Sequence, residues 1–151
     1  MKIITLLAAL LFACTSCNCK KVAVASTNEN YETLVIQYEA NTRGFYQKLI
    51  VQNHTISSTD DRNGEKNPIV QKISDADWNA LIFEFNKVDL DGLPNLKAPT
   101  EKRFYDGAAI AGLKITFKGK TFETTNFDHG FPPMEIQKVV EIVTLLFKEE
   151  Q

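Results

Sequence analysis

Thiols and imidazoles are scarce in this chain of 151 residues, which has three cysteines and two histidines. All three cysteines lie between Cys14 and Cys19, so the rest of the chain has no disulfide and no cysteine nucleophile. Two local signatures of hydrolases, the G-x-S-x-G elbow and the H-E-x-x-H helix, are also absent. We therefore predict a non-enzymatic protein with no catalytic residue, no cofactor and no metal.

An excess of positive charge is missing as well. The chain has 17 Lys and Arg against 19 Asp and Glu, a formal net charge of −2. Proteins that bind nucleic acid capture the phosphate backbone mainly with clustered Lys and Arg. Nucleic acid is therefore not expected among the partners.

No apolar run is long enough to cross a membrane. Lys2 is followed by an apolar run from Ile3 to Ala13, whereas a spanning helix needs roughly 20 residues. A short basic start, an apolar segment and small residues near its end are typical of a secretory signal peptide. We predict that residues 1–13 are this signal peptide.

The end of that segment, Leu11-Phe12-Ala13-Cys14, resembles the lipobox of bacterial lipoproteins. The resemblance implies that the Cys14 thiol receives a diacylglycerol and becomes the mature N-terminus. Two or three acyl chains would anchor the protein stably, because each buried methylene contributes about 0.8 kcal/mol. Plain secretion with cleavage nearby is the alternative.

Residues 14–30 are predicted to be the lipidated N-terminus and a flexible polar tether, followed by a single domain over residues 31–151. Cys17 and Cys19 lie in the tether, as an oxidised pair, free thiols or further acylation sites. A metal site in CTSCNC is disfavoured, because lipidation would consume the first ligand and no histidine is near.

Alternating and helical periodicities divide the body into strands and helices. The first half predicts a strand with Leu34, Ile36, Tyr38 and Ala40 on one side, a hairpin of 45–52 and 55–59 around Asn53-His54, an edge strand within 68–73, and a helix over 75–88 capped by Ser74. The second half predicts a long irregular connection over 89–107, a strand over 113–117, a turn at Gly119, a return strand over 121–127, and a final helix with proline in its first turn.

The order strands, helix, hairpin, helix predicts an α+β fold, an antiparallel β-sheet with two helices packed on one face. A parallel Rossmann arrangement is disfavoured, because strands and helices do not alternate and no glycine-rich phosphate loop is present.

Several segments resemble small lipoprotein domains from Bacteroidota: GFYQKLIV, ISDADWNALIFEF, YDGAAIAGLKITFKGKTFET and the last helix. The resemblance covers residues 31–150 and implies the fold and the cellular location, but it implies no activity. In that phylum, export to the cell surface is associated with acidic residues soon after the acylated cysteine. Lys20 and Lys21 stand here instead, which favours a lipid anchor in the periplasm-facing leaflet of the outer membrane.

Candidate binding residues end the long connection and precede the last helix. Arg103, Phe104, Tyr105 and Asp106 combine a cation, two aromatics and a carboxylate on one loop, a composition typical of ligand clamps. The structural alternative is an Arg103–Asp106 pair pinning the loop while the aromatics plug the edge of the core.

Asp128 and His129 are the other candidates. The Asp128 carboxylate could orient the His129 imidazole as a base, or the imidazole could ligate a metal. The structural alternative is that His129 is solvated or stabilises the turn. The leading hypothesis is a membrane-anchored envelope module that binds an envelope protein or a small ligand through the 89–107 loop. The alternative is an envelope hydrolase or metal-dependent enzyme using His129, Asp128 and Asp106.

Overall fold

The computed structural model of the chain describes residues 30–147. These residues form seven strands and two α-helices in the predicted order, and the α+β fold class is confirmed. The elements are β1 (Val35–Thr42), β2 (Phe45–Gln52), β3 (Thr55–Thr59), β4 (Ile69–Lys72), α1 (Asp75–Phe85), β5 (Ile110–Phe117), β6 (Lys120–Glu123), β7 (Phe127–Asp128) and α2 (Gln137–Leu146).

The strands form one antiparallel sheet in the order β4-β3-β2-β1-β5-β6, and β7 also pairs with β5. β1 lies between β2 and β5, with Tyr38 opposite Leu49 on one side and Leu113 on the other. The predicted edge strand β4 does lie at an edge, where Pro68 immediately before it removes no ladder hydrogen bond. Within residues 30–147, no helix is long and apolar enough to cross a membrane.

One face of the sheet is buried and the other is polar. Alternate residues of β1 and β5 are buried, and these residues join the apolar faces of α1 and α2 in a single core cluster. The cluster includes the predicted inward-facing residues Leu34, Ile36, Tyr38 and Ala40. The opposite face carries Gln37, Glu39, Asn41 and Lys114 around a shallow depression. Both helices therefore cover the same face, as predicted.

Both predicted hairpin turns use two consecutive residues with positive φ. Asn53 and His54 have φ of 46° and 58°, and Lys118 and Gly119 have φ of 50° and 76°. This is the pattern of type I′ turns, whose twist matches that of the flanking strands. The predicted bounds of β2 and β3 are confirmed.

Helix α1 begins at the predicted residue but ends at Phe85, three residues before the predicted end. Ser74 caps its first turn, and the Ser74 hydroxyl accepts a hydrogen bond from the N–H of Asp77 at 3.2 Å. At the other end, the N–H groups of Lys87 and Val88 bond to the carbonyls three residues back. The last turn therefore tightens, and the chain leaves the helix axis.

The predicted continuous strand over 121–127 is wrong, because it is split into β6 and β7. Between the pairs Lys114–Glu123 and Ala111–Phe127, β5 has two residues and the returning chain has three. The extra residue makes a β-bulge. At the bulge, the Thr124 hydroxyl accepts a hydrogen bond from the N–H of Leu113 at 3.1 Å.

Proline in the first turn of the last helix is also a wrong prediction. Pro133 has an extended backbone and precedes a 3-10 turn, Met134–Ile136, and α2 begins only at Gln137. Pro132 precedes another proline, which disfavours helical backbone at its position. The 3-10 turn therefore separates the prolines from the α-helix.

The connection over 89–107 is partly ordered by two 3-10 turns, Leu93–Asn95 and Lys102–Tyr105. Leu93 is fully buried, and Leu90, Leu96 and Ala98 pack against the core. The first part of the connection therefore contributes to the core. The second 3-10 turn belongs to the candidate site.

Candidate functional site

Asp128 is a fully buried carboxylate with four hydrogen-bond donors around it. The Thr100 hydroxyl donates at 2.5 Å, and the N–H groups of Lys102 and Arg103 donate at 2.6 and 3.0 Å. The Arg103 guanidinium donates through Nη1 at 3.0 Å and also bonds to the Thr100 carbonyl at 2.8 Å. This network attaches the 3-10 turn Lys102–Tyr105 to the sheet through β7.

The charge of Asp128 is stabilised by these donors. Burial alone raises the pKa of the carboxyl, because a charged group loses its hydration. The hydrogen bonds from Thr100, Arg103 and Lys102 outweigh burial and hold the pKa of Asp128 at about 2. Asp128 is therefore an anion at neutral pH, and both of its carboxylate oxygens already accept hydrogen bonds.

Arg103 pairs with Asp128, so the predicted Arg103–Asp106 pair is wrong. The Arg103 side chain is only 11% exposed. Asp106 instead ends the 3-10 turn in the left-handed conformation, with φ of 58°, and the N–H of Gly107 bonds to the Lys102 carbonyl at 2.9 Å. Left-handed backbone suits Asp better than most side chains, which accounts for its position without an ion pair.

Phe104 and Tyr105 point into solvent, so the prediction that they plug the edge of the core is also wrong. Their exposed fractions are 72% and 71%. The Arg103 guanidinium lies 4.3 Å from the centre of the Phe104 ring. The ammonium of Lys102 lies 3.8 Å from the centre of the Phe131 ring, which is itself 42% exposed. We call residues 102–105 the aromatic turn.

His129 forms a hydrogen bond with a buried tyrosine. The Tyr38 hydroxyl lies 2.7 Å from His129 Nδ1. Burial raises the pKa of Tyr38 far above its usual value and lowers the pKa of His129, so both groups are neutral at pH 7. Because Tyr38 is fully buried and its hydroxyl has no other acceptor among residues 30–147, we infer that it donates to Nδ1 and that the imidazole proton resides on Nε2.

This pair borders a cleft of about 350 Å³. The cleft lies between Tyr38, the loop before α2, and one side of α2 itself. Its lining residues are Tyr38, His129, Gly130, Pro132, Gln137, Val140, Glu141, Thr144 and Leu145.

Five of the six predicted residues thus fall into three groups, and Asp106 stands apart as the left-handed end of the 3-10 turn. Asp128 and Arg103 form a buried pair, Phe104 and Tyr105 form an exposed surface, and His129 faces a cleft with Tyr38. Asp128 is bonded to the turn and His129 to Tyr38, so no hydrogen bond within 30–147 joins the two as a catalytic dyad. Among the same residues, no group of three His, Cys, Asp or Glu is placed to hold a metal ion. The enzyme alternative using His129, Asp128 and Asp106 stays a hypothesis.

Sequence reasoning missed Thr100 and Tyr38. Thr100 lies 28 residues from Asp128 along the chain, and Tyr38 lies 91 residues from His129. The sequence indicates Tyr38 only as an inward-facing strand residue. A buried tyrosine needs a partner for its hydroxyl, which is the one signal that pointed to a polar contact there.

A scan against protein-family models matches no family, and a search of curated proteins finds no match to this chain. The predicted lipidation site, Cys14, and the signal peptide over residues 1–13 lie outside the described residues, as does nearly all of the tether over 14–30.

Proposed function

We propose that this chain is a lipid-anchored binding module of the bacterial cell envelope, which captures a protein partner through its aromatic turn. The single observation that carries the proposal is the exposure of Phe104 and Tyr105, at 72% and 71%, on a turn held by a buried ion pair. Adjacent exposed aromatics are costly in water and are enriched at the energetic centres of protein interfaces.

The rigidity of the aromatic turn supports binding rather than loose exposure. Thr100, Lys102 and Arg103 together give Asp128 four hydrogen bonds, so the backbone beneath the aromatics is fixed before any partner arrives. A preorganised surface loses less conformational entropy on association. Each aromatic has only two side-chain torsions to immobilise, which lowers that cost further.

The nearby Phe131 enlarges the apolar surface. Lys102 links it to the turn by the cation–π contact at 3.8 Å. Met134, 83% exposed, begins the 3-10 turn that follows Phe131 and the two prolines. A protein with an apolar pocket fits these groups better than a sugar or a nucleic acid, because the exposed side chains offer mostly hydrophobic area.

The proposed membrane location of the module is inferred from the residues that precede the domain. A lipobox-like sequence ending in Cys14 and a polar tether would hold the domain near a bilayer. Metabolic labelling with a radioactive or clickable fatty acid tests this directly. We expect label on the full chain and none on the Cys14→Ser variant, and intact mass of an unmodified chain that retains Met1 would refute the anchor.

Photocrosslinking in intact cells tests the binding surface. We would place p-benzoylphenylalanine at position 105 and, as the matched control, at position 83, because Phe83 is also an exposed aromatic, at 56%, but lies on α1. We expect one discrete adduct from position 105 that is absent from position 83. The same adduct from both positions, or none from position 105, would contradict the proposal.

Affinity measurements with the captured protein then give the contribution of the two aromatics to the binding free energy. Truncating two central aromatics should cost at least about 2 kcal/mol, or roughly 30-fold in Kd. We expect this loss for the double variant Phe104→Ala/Tyr105→Ala and a change below twofold for Phe83→Ala.

A further inference from the structure

We propose that the cleft beside Tyr38 and His129 is a binding site for a small uncharged molecule with an apolar ring and one hydrogen-bond acceptor. The lining of the cleft includes none of residues 102–105 of the aromatic turn, and the proposal does not depend on the protein-binding function. Its volume of about 350 Å³ lies within the usual range for small-molecule pockets.

His129 provides the polar contact. The Tyr38 hydroxyl lies 2.7 Å from its Nδ1, and with that hydroxyl assigned as the donor, Nε2 carries the proton. Nε2 has no hydrogen-bond partner among residues 30–147, and no buried side-chain nitrogen or oxygen there lacks a partner, so Nε2 is accessible to solvent. An accessible N–H at the border of a cleft selects a ligand that carries an acceptor such as a carbonyl oxygen.

The hydrogen bond from Tyr38 holds the His129 imidazole, and with it the Nε2 donor, in one position. Tyr38 is fully buried in the centre of the sheet, and its hydroxyl holds the imidazole in one tautomer. The His129 ring also contacts the Phe45 ring, with 5.4 Å between the ring centres. Second contacts of this kind orient a functional histidine before the ligand binds.

The other polar side chains of the cleft are largely satisfied by each other. Gln137 donates to Glu141 at 2.7 Å, and Lys138 donates to the second oxygen of Glu141 at 2.8 Å. The Thr144 hydroxyl donates to carbonyls one turn back in α2. Apart from the second N–H of the exposed Gln137 amide, His129 Nε2 is therefore the uncommitted side-chain donor of the lining.

Apolar surface and charge define the rest of the ligand. Pro132 and Leu145 supply accessible apolar lining beside the buried Tyr38 and Val140, and this lining suits a ring or branched hydrocarbon. Glu141 is the one carboxylate among the lining residues and is paired with Lys138 at 2.8 Å, and the lining has no Lys or Arg that would bind an anion. An uncharged carbonyl compound fits these features better than a carboxylate.

Acetophenone is a suitable probe, with ethylbenzene as the analogue that lacks the acceptor and benzoate as the charged analogue. The full chain carrying Cys14→Ser would be labelled with ring-¹⁵N histidine. Because the chain has only two histidines, His54 serves as an internal reference. His54 lies in the β2–β3 turn and stacks on Trp78, outside the lining of this cleft.

We expect acetophenone to shift the His129 Nε2 resonance and leave His54 unchanged. Its affinity should exceed that of ethylbenzene about fivefold, the equivalent of one net hydrogen bond of about 1 kcal/mol, and benzoate should bind more weakly still. Equal shifts at both histidines, equal affinity for ethylbenzene, or tighter binding of benzoate would each overturn the proposal.

Two exposed positions provide a variant test that spares the core. Leu145 is 72% exposed and borders the cleft, so Leu145→Trp should fill its mouth and weaken acetophenone at least tenfold. Phe83→Trp, on the exposed side of α1, is the matched control and should leave the affinity unchanged. Unaltered binding in a folded Leu145→Trp variant would also overturn the proposal.

Discussion

Arg103 and Asp128 form an ion pair in which Nη1 lies 3.0 Å from Oδ1, and the two side chains are 11% and 0% exposed. Lone buried ion pairs contribute little net stability, because desolvation offsets the attraction. Here the carboxylate also accepts two backbone N–H groups and a hydroxyl. The pair therefore acts less as a general stabiliser than as the fixed point that determines where Phe104 and Tyr105 are presented.

Removing the carboxylate should be strongly destabilising. Asp128→Ala leaves the buried Arg103 guanidinium without its counter-charge and two backbone N–H groups without an acceptor, and we expect a loss of about 3–5 kcal/mol in the free energy of unfolding. Urea unfolding followed by circular dichroism measures this loss. The control is Glu123→Gln, which breaks an exposed pair with Lys114 and should cost below about 1 kcal/mol. Similar losses in the two variants would refute the buried network.

The aromatic turn should lose its contact with the charged Asp128 carboxylate only at low pH. The pKa of Asp128 is lowered from its usual value of 3.8 to about 2, so the folded state binds this proton less readily than the unfolded state. The stabilisation is therefore complete above pH 3.8 and is lost as the pH falls from 3.8 to about 2. Carboxyl ¹³C shifts of Asp128 measured against pH should give this low midpoint, and a midpoint at or above 3.8 would contradict the structure.

Much of the fold was predictable, because hydrophobic period and turn chemistry act locally. Strands β2 and β3 were predicted to the residue, since the Asn53-His54 turn fixes their register. The bulge in the returning strand was not predictable. It depends on the Thr124 side chain taking a ladder position beside Leu113, which alternation alone does not reveal.

The candidate site was predictable as a set of residues but not as a set of contacts. The sequence placed Arg103 beside Asp106, because neighbours in sequence are the only partners that a pattern can offer. The actual partner is Asp128, 25 residues away, brought there by the pairing of β7 with β5. Tyr38 reaches His129 through the same tertiary arrangement.

The tautomer of His129 gives a direct test of its bond with Tyr38. In the native chain we expect ¹⁵N shifts of a neutral imidazole protonated at Nε2. Tyr38→Phe removes the donor to Nδ1, so the two tautomers should become mixed, with a loss of about 1 kcal/mol in stability. Tyr105→Phe removes an exposed hydroxyl and should change neither quantity. An unchanged tautomer in Tyr38→Phe would exclude the hydroxyl as its cause.

Mild acid should weaken the fold through His129. Burial lowers the pKa of this imidazole below 6.5, so the unfolded state binds the proton first. Stability should therefore fall as the pH drops below 6.5 and level off once the folded imidazole is also protonated. Unfolding at several pH values between 7 and about 4.5 measures this slope, which should largely vanish in His129→Gln. A slope of the same size in that variant would assign it to another group.

Alanine substitutions at two glycines can separate the effect of backbone conformation at the β5–β6 turn from the effect of side-chain packing. A Cβ at Gly119 would meet nothing within 4 Å, yet its φ is +76°. Gly119→Ala should therefore cost about 1 kcal/mol through backbone conformation alone. Gly44 in the β1–β2 turn also has open space around it but no positive φ, so Gly44→Ala should be neutral or slightly stabilising. Thermal unfolding compares the two, and equal costs would show that the positive φ of Gly119 is not what requires glycine at this turn.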